Sequence, residues 1–337
     1  MQLEKASIRS VLGLRFRDAT TERPVTDGLR VMVRRQQGGG APARAVRTSS
    51  GAYVAQGLSG LRAYERVPRD IPEEIPDNAG ANGEDGEDGV VKTDYLVDVR
   101  DRRGRFVPAL LGVELPYTPK EEHGWLYPVV EPPPEEAIGG NGTPEPAVYL
   151  FSAVQRPVPA GQGVVYADLV TEDGGTWRPA AHALVEIRYE QGSESSEGPP
   201  NGNRSKEDVW YGIADADGRV AVQFPLPSVR LVDFSENGAP SESAEPARSE
   251  GLSALSGRTV PIRVRVFCDP SLGTTDGAPR PQLGDIMNQR TRDPRPIYKT
   301  AGPPSTPLTA TFTFGTPLVL TTDGFSVLRI AAPSNGT

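Results

Sequence analysis

Two stretches with the same order of residues decide the fold: "RPVTDGLRVMVRR" at 23–35 and "RPAAHALVEIRYE" at 178–190. In the first, every second residue from Leu29 to Val33 is apolar, and the residues between are arginine or methionine. A period of two predicts a half-buried β-strand. In both copies an Arg-Pro pair precedes the strand, where proline removes no N–H from the interior of a sheet.

A further strand pair follows each copy. It is "AVRTSSGAYVAQGL" at 45–58 after the first and "WYGIADADGRVAVQFPLP" at 210–227 after the second. Each pair is interrupted by a polar turn that ends in glycine, Gly51 in one and Gly218 in the other. Glycine adopts positive φ without steric cost, so these turns reverse the chain tightly. The chain therefore repeats one strand–turn–strand unit.

The rest of the chain alternates short strand patterns with turns. Its 37 glycines and 34 prolines predict many turns and extended connections. Only "PQLGDIMNQR", at 281–290, suits a short helix. We therefore predict an all-β fold of two Ig-like or transthyretin-like β-sandwich domains, with long Pro/Gly-rich loops and a linker.

The composition also predicts the domain boundaries. We expect a first sandwich over 1–116, a Pro-rich linker over 117–147 and a second sandwich over 148–337. Polar stretches too poor in apolar residues to bury a core of their own interrupt both sandwiches, at 68–89 (acidic), 191–207, 235–257 and 270–305. Loops of this length are either functional or disordered. These stretches either form surfaces that bind partners or are insertions without a function, and the sequence leaves both possibilities open.

Charge and cysteine content exclude several classes of function. The net charge of −8 argues against nucleic acid as a partner, because phosphate binding needs a basic surface. No apolar run reaches the length of a membrane span, and the N-terminal residues lack the apolar core of a secretory signal. We therefore expect a cytoplasmic location, or export by a route that uses no signal peptide. One cysteine and two histidines in 337 residues predict neither a disulfide framework nor a thiolate zinc site.

No residue pattern indicates catalysis, a cofactor or a metal. "ADADG" at 214–218 resembles the start of a calcium loop but lacks the distal glutamate, and a hairpin turn explains it better. His182 is expected to pack near a strand start, and Cys268 to be a small buried residue. We therefore predict no catalytic, cofactor-binding or metal-binding residues.

Two sets of residues are candidates for partner binding. The first is the apolar cluster Trp125, Leu126 and Tyr127 within the Pro-rich linker, since a buried aromatic anchor dominates many interfaces. The second comprises arginines that alternate with buried positions on two strands: Arg30, Arg34, Arg263 and Arg265. These arginines either pair with acidic neighbours or form solvated faces that discourage edge aggregation.

The repeated unit resembles the carboxypeptidase regulatory-like or transthyretin-like family of seven-stranded sandwiches, over residues 8–61 and 162–227. Three longer phrases, in this order, resemble accessory structural proteins of extracellular contractile injection systems, which are phage-tail-like particles: "YLVDVRDRRGRFVPALLGVELP", "YLFSAVQRPVPAGQGVVYADLV" and "WYGIADADGRVAVQFPLP".

The second resemblance implies a non-enzymatic structural subunit, located at the cap or baseplate of such a particle and assembled in the cytoplasm. It implies sheath, tube, cap or baseplate proteins and copies of the same chain as partners. The composition and the strand patterns leave two other hypotheses open. One is a carbohydrate- or protein-binding adhesin-like module, and the other is an accessory domain of an enzyme.

Overall fold

The structure is a computed structural model that describes residues 11–61, 93–115, 147–173, 175–190, 209–226, 257–273, 280–300 and 302–332. Its described part is nearly all β, which confirms the predicted all-β, sandwich-type fold. The strands form two units, each with its own buried core.

Nine strands of the first unit lie in the part of the chain that the structure describes. They are β1 (Leu12–Leu14), β2 (Phe16–Asp18), β3 (Leu29–Arg35), β4 (Ala43–Arg44), β5 (Val46–Arg47), β6 (Tyr53–Ala55), β7 (Thr93–Asp101), β8 (Ala109–Leu115) and β9 (Val148–Leu150). A four-stranded sheet has the order β4-β3-β7-β8, a three-stranded sheet has the order β1-β6-β5, and β2 pairs with β9.

In the described residues, the second unit contains ten strands and one α-helix. The strands are β10 (Gln162–Asp173), β11 (Thr176–Pro179), β12 (Leu184–Tyr189), β13 (Val209–Ile213), β14 (Arg219–Pro225), β15 (Thr259–Phe267), β16 (Ile297–Tyr298), β17 (Leu308–Thr313), β18 (Leu318–Leu320) and β19 (Leu328–Ile330); the helix is α1 (Leu283–Asn288). One sheet has the order β11-β10-β19-β16, with β14 and β18 also paired to β10, and the other has the order β13-β12-β15-β17.

The predicted alternation on β3 is confirmed. Val31 and Val33 are each 1 % exposed, whereas Arg30 and Arg34 point to solvent. β3 pairs antiparallel with β7, so its two buried valines lie opposite valines of that strand. The buried faces of β3, β7 and β8 pack with β1 and β6 into the first core.

β10 organises the second unit. Its first half pairs antiparallel with β14 and parallel with β18, and its second half pairs antiparallel with β11 and parallel with β19. The alternation from Val165 to Leu169 predicts one buried face, and Val165, Ala167 and Leu169 do face the core while Asp168 is exposed. The turn that leads into β14 ends at Gly218, whose φ of +79° is the left-handed conformation that favours glycine.

One N-terminal strand prediction is wrong. The loose alternation of "IRSVLGLRFR" at 8–17 predicts a single strand, but within the described residues β1 and β2 are separated by Arg15 and belong to different sheets. Each is only three residues long, because the chain leaves one sheet and enters the next within four residues. Periodicity alone does not reveal such a change of sheet.

β9 belongs to the first unit, although the sequence analysis placed it at the start of the second. It pairs parallel with β2, with Val148 opposite Phe16, and its two inward residues lie in the first core. This pairing joins residues more than 130 positions apart, which a local pattern cannot predict. The remaining domain boundaries stay predictions, because 116–146 lies outside the described residues.

A buried ion pair holds the segment between β9 and β10 against the first unit. The guanidinium of Arg156 donates to both carboxylate oxygens of Asp18, at 3.1 and 2.5 Å, and to the hydroxyl of Ser152 at 2.9 Å. From the second unit, the side-chain amide of Gln223 donates to the Arg156 carbonyl at 3.3 Å. Burial by itself raises the pKa of Asp18, but hydrogen bonds from Arg156 and the Thr20 amide outweigh it, so the pKa lies below its ordinary value.

The polar stretch 270–305 is partly structured and also joins the units. The predicted short helix is confirmed as α1, which buries Leu283 and Ile286, three positions apart, against β8 of the first unit. Just before it, Gln282 packs so closely over Gly112 of β8 that a Cβ there would lie 2.2 Å from the Gln282 Oε1. The same stretch supplies β16 to a sheet of the second unit.

Candidate functional site

The outer face of β3 presents uncompensated positive charge. Arg30, Arg34 and Arg44 point to the same side of the sheet, because Arg44 of β4 lies opposite Met32. All three side chains are exposed, and none forms an ion pair within the described residues. We call these three residues the basic face.

The row beside the basic face is neutralised within the chain. Arg100 of β7 lies directly opposite Arg30, where two like charges repel. Asp98 compensates this by pairing with Arg100 at 2.9 Å and with Arg280 at 3.3 Å. Asp98, which lies opposite Met32 of β3, is therefore already shared by two other arginines.

The two arginines predicted on β15 are paired inside the chain instead. Arg263 contacts Glu190 at 2.8 Å, just beyond the end of the neighbouring strand β12, and Arg265 contacts Glu186 of β12 at 3.4 Å. Glu186 is only 3 % exposed and also accepts from the Tyr211 hydroxyl at 3.3 Å. Burial, together with the Glu186 charge, raises the pKa of Tyr211 to about 12. Of the four predicted arginines, the two on β3 therefore form no ion pair within the described residues, whereas the two on β15 form ion pairs inside the chain.

Trp125, Leu126 and Tyr127 lie outside the described residues, as do the acidic insertion 68–89 and the insertion 191–207. Their predicted role in partner binding stays a prediction.

An aromatic surface lies on the sheet that contains β11, β10, β19 and β16, and the sequence patterns did not predict it. The guanidinium carbon of Arg329 lies 4.5 Å from the ring centre of Trp177 and 3.3 Å from that of Phe325. Tyr298 meets Trp177 edge to face at 6.3 Å. We call Trp177, Tyr298, Phe325 and Arg329 the aromatic face; Phe325 is 43 % exposed.

The aromatic face assembles from strands that are distant in sequence. Arg329 of β19 lies opposite Val170 on one side and Tyr298 on the other. Trp177 lies on β11, the strand beyond β10. A tryptophan at an outward position next to a charged turn was the available signal, but the partner rings are more than 120 residues away.

Asp215 and Cys268, which the sequence offered as candidates for a site, have structural roles. Asp215 Oδ1 accepts from the backbone N–H groups of Asp217 and Arg219, each at 2.9 Å, which makes "ADADG" the predicted hairpin turn. Cys268 is buried, and its burial raises the thiol pKa to about 11. No group of three or more metal-ligating side chains occurs in the part of the chain that the structure describes.

His182 packs just before β12, as predicted. It is 5 % exposed and has a φ of +60°, and its carbonyl accepts from the Gln289 side chain at 2.8 Å. Burial and the nearby Arg280 charge lower its pKa. Its ring lines a small cavity between the units together with Phe151 and Leu283.

The helical segments in the described part of the chain fall short of the length and apolar character needed to cross a membrane. No protein-family model matches the chain, and no curated protein matches its sequence. Among solved structures, the chain is similar to a crystal structure from Bacteroides ovatus described as a "putative adhesin", at 11 % identity and a TM-score of 0.17, with 84 % of this chain and 94 % of that chain covered. We infer neither fold nor function from a similarity at this level.

Proposed function

We propose that this protein is a non-enzymatic structural subunit of a contractile injection particle, located at its cap or baseplate. The observation that supports this most is the basic face, whose arginines form no ion pair within the described residues of a chain whose net charge is −8. Such a surface fits an acidic surface of a neighbouring particle protein.

Arginine suits this role because its planar fork binds carboxylates in a defined orientation. Arg30 and Arg34 lie four positions apart on one strand and Arg44 lies on the next, so the charges form a patch rather than a single point. Complementary patches steer encounter and select orientation more than they add raw affinity. A subunit repeated around a particle axis needs that selection.

The two arginine pairs provide a matched test. Replacing Arg30 and Arg34 together with glutamine is expected to lower the occupancy of this subunit in purified particles by about tenfold, because charge-assisted hydrogen bonds to the neighbour are lost. Replacing Arg263 and Arg265 with glutamine is the control, since these side chains pair within the chain. Occupancy is measured by quantitative mass spectrometry of sedimented particles. Equal occupancy for both variants would rule out the basic face, and absence of the wild-type chain from particles would rule out the proposed function.

An adhesin-like binding module is the second candidate, favoured by the aromatic face. Exposed rings bind sugars and peptides through their faces, and Trp177 supplies the largest ring there.

Under this alternative, Trp177→Ala lowers affinity for a glycan or peptide ligand by about tenfold. Screening the purified chain on glycan and peptide arrays provides the measurement. Val46→Ala is the control, because Val46 is 69 % exposed on β5 of the first unit. Failure of the chain to bind any array ligand would eliminate this alternative.

A further inference from the structure

Among the described residues, β17 is an open sheet edge, because no strand pairs with its outer side. It has six residues, "LTATFT", and is the last strand of the sheet β13-β12-β15-β17. Proteins usually protect edges with charges, proline, bulges or a covering element. β17 has no charged residue and no proline, and Thr309 and Thr311 are exposed. On the first unit, by contrast, α1 packs against β8, the last strand of its sheet.

Ladder geometry shows which backbone groups the edge presents. The N–H of Phe314 donates to the Arg258 carbonyl at 2.8 Å, so Phe314 faces β15. Residues of an antiparallel strand alternate in the direction of their backbone groups. The N–H and C=O groups of Thr309, Thr311 and Thr313 therefore point away from β15. Within the described residues, the only backbone bond to these groups is from the Thr316 N–H to the Thr313 carbonyl, at 3.2 Å.

The pattern of this edge is complementary to itself. In an antiparallel pairing centred on Thr311, each Thr311 faces its counterpart and Thr309 faces Thr313 of the second copy. All three pairs then use outward backbone groups and form narrow, hydrogen-bonded pairs. Threonine–threonine contacts line one side of the joined sheets, and no charge opposes a like charge.

We propose that two copies of this chain associate through their β17 edges, forming one continuous sheet across a two-fold axis. The second copy is the occupant that the edge itself specifies, because one register satisfies every outward group without a change in sequence. This inference goes beyond the proposed function, since the pairing needs no particle.

Disulfide cross-linking tests the register directly. Thr311→Cys places two cysteines about 5.5 Å apart at Cα, within the range that a disulfide spans. Thr309→Cys separates its two cysteines by four residues along the strands, about 13 Å, which is too far to bridge. Under mild oxidation, Thr311→Cys is expected to give at least tenfold more covalent dimer than Thr309→Cys. A mixture of Thr309→Cys and Thr313→Cys chains should also cross-link. The native Cys268 is buried and does not compete.

Analytical ultracentrifugation of the purified full chain provides the second measurement. Thr311→Pro removes one outward N–H from each copy while leaving the bonds to β15 intact, so the dimer dissociation constant should rise roughly thirtyfold. Thr311→Val keeps the N–H and should leave the constant unchanged. A monomeric wild-type chain at tens of micromolar, or equal cross-linking at positions 309 and 311, would overturn the proposal. Either result leaves the particle proposal standing, because that depends on sedimented particles.

Discussion

Replacing Arg156 with alanine is expected to lower the free energy of unfolding by about 3–5 kcal/mol. The substitution leaves the Asp18 carboxylate buried at 5 % exposure without its charged partner. It also removes the cation–π contact between Arg156 and Phe106, whose ring centre lies 4.9 Å from the guanidinium carbon. Denaturant unfolding monitored by tryptophan fluorescence gives the measurement.

The control is the double variant Arg156→Ala with Asp18→Asn. Because asparagine carries no charge, the double variant should recover part of the lost stability. If Arg156→Ala costs less than about 1 kcal/mol, as the loss of an exposed ion pair does, Arg156 and Asp18 do not act as a buried ion pair.

Acid provides an independent check of the same pair. The pKa of Asp18 is lowered in the folded chain, so its contribution to stability is complete above its unfolded pKa and is lost as pH falls through the folded pKa. The wild-type chain should therefore lose its advantage over the double variant in the acid range below the ordinary aspartate pKa. An advantage that stays constant from neutral pH into that range would contradict the assignment.

Replacing Phe224 with alanine is expected to cost about 3–5 kcal/mol, the cost of truncating a fully buried aromatic ring. Phe224 is 0 % exposed, and its ring centre lies 5.1 Å from Phe312, 5.5 Å from Trp210 and 5.8 Å from Tyr189. These residues come from β17, β13 and β12, so the ring joins the two sheets of the second unit. Its loss leaves a cavity that the neighbouring strands cannot fill without changing register.

Phe325→Ala is the matched control, because Phe325 is 43 % exposed and belongs to the aromatic face rather than the core. Its truncation should cost less than about 1 kcal/mol. Denaturant midpoints at equal m-values compare the two variants. Equal losses would mean that the aromatic cluster around Phe224 is not the centre of the second core.

Side-chain direction on the strands and backbone conformation at the turns followed from the sequence alone. The alternation on β3 and β10 predicted which side chains face the core, and the glycine at 218 predicted a reversal with positive φ. These predictions succeeded because side-chain direction on a strand and backbone conformation at a turn depend on neighbours within a few residues.

The tertiary structure alone decided which residues meet. It moved β9 to the first unit, paired Arg263 and Arg265 with Glu190 and Glu186, and left the β3 arginines without an ion pair among the described residues. It also assembled the aromatic face from distant strands and, in the described part of the chain, left the outer side of β17 without a neighbouring strand. The pairing of β9, the ion pairs of β15 and the aromatic face each join residues more than 70 positions apart. The alternation of side chains along a strand is the same whichever strand lies beside it. Only the folded chain therefore determines which charges and backbone groups find partners and which do not.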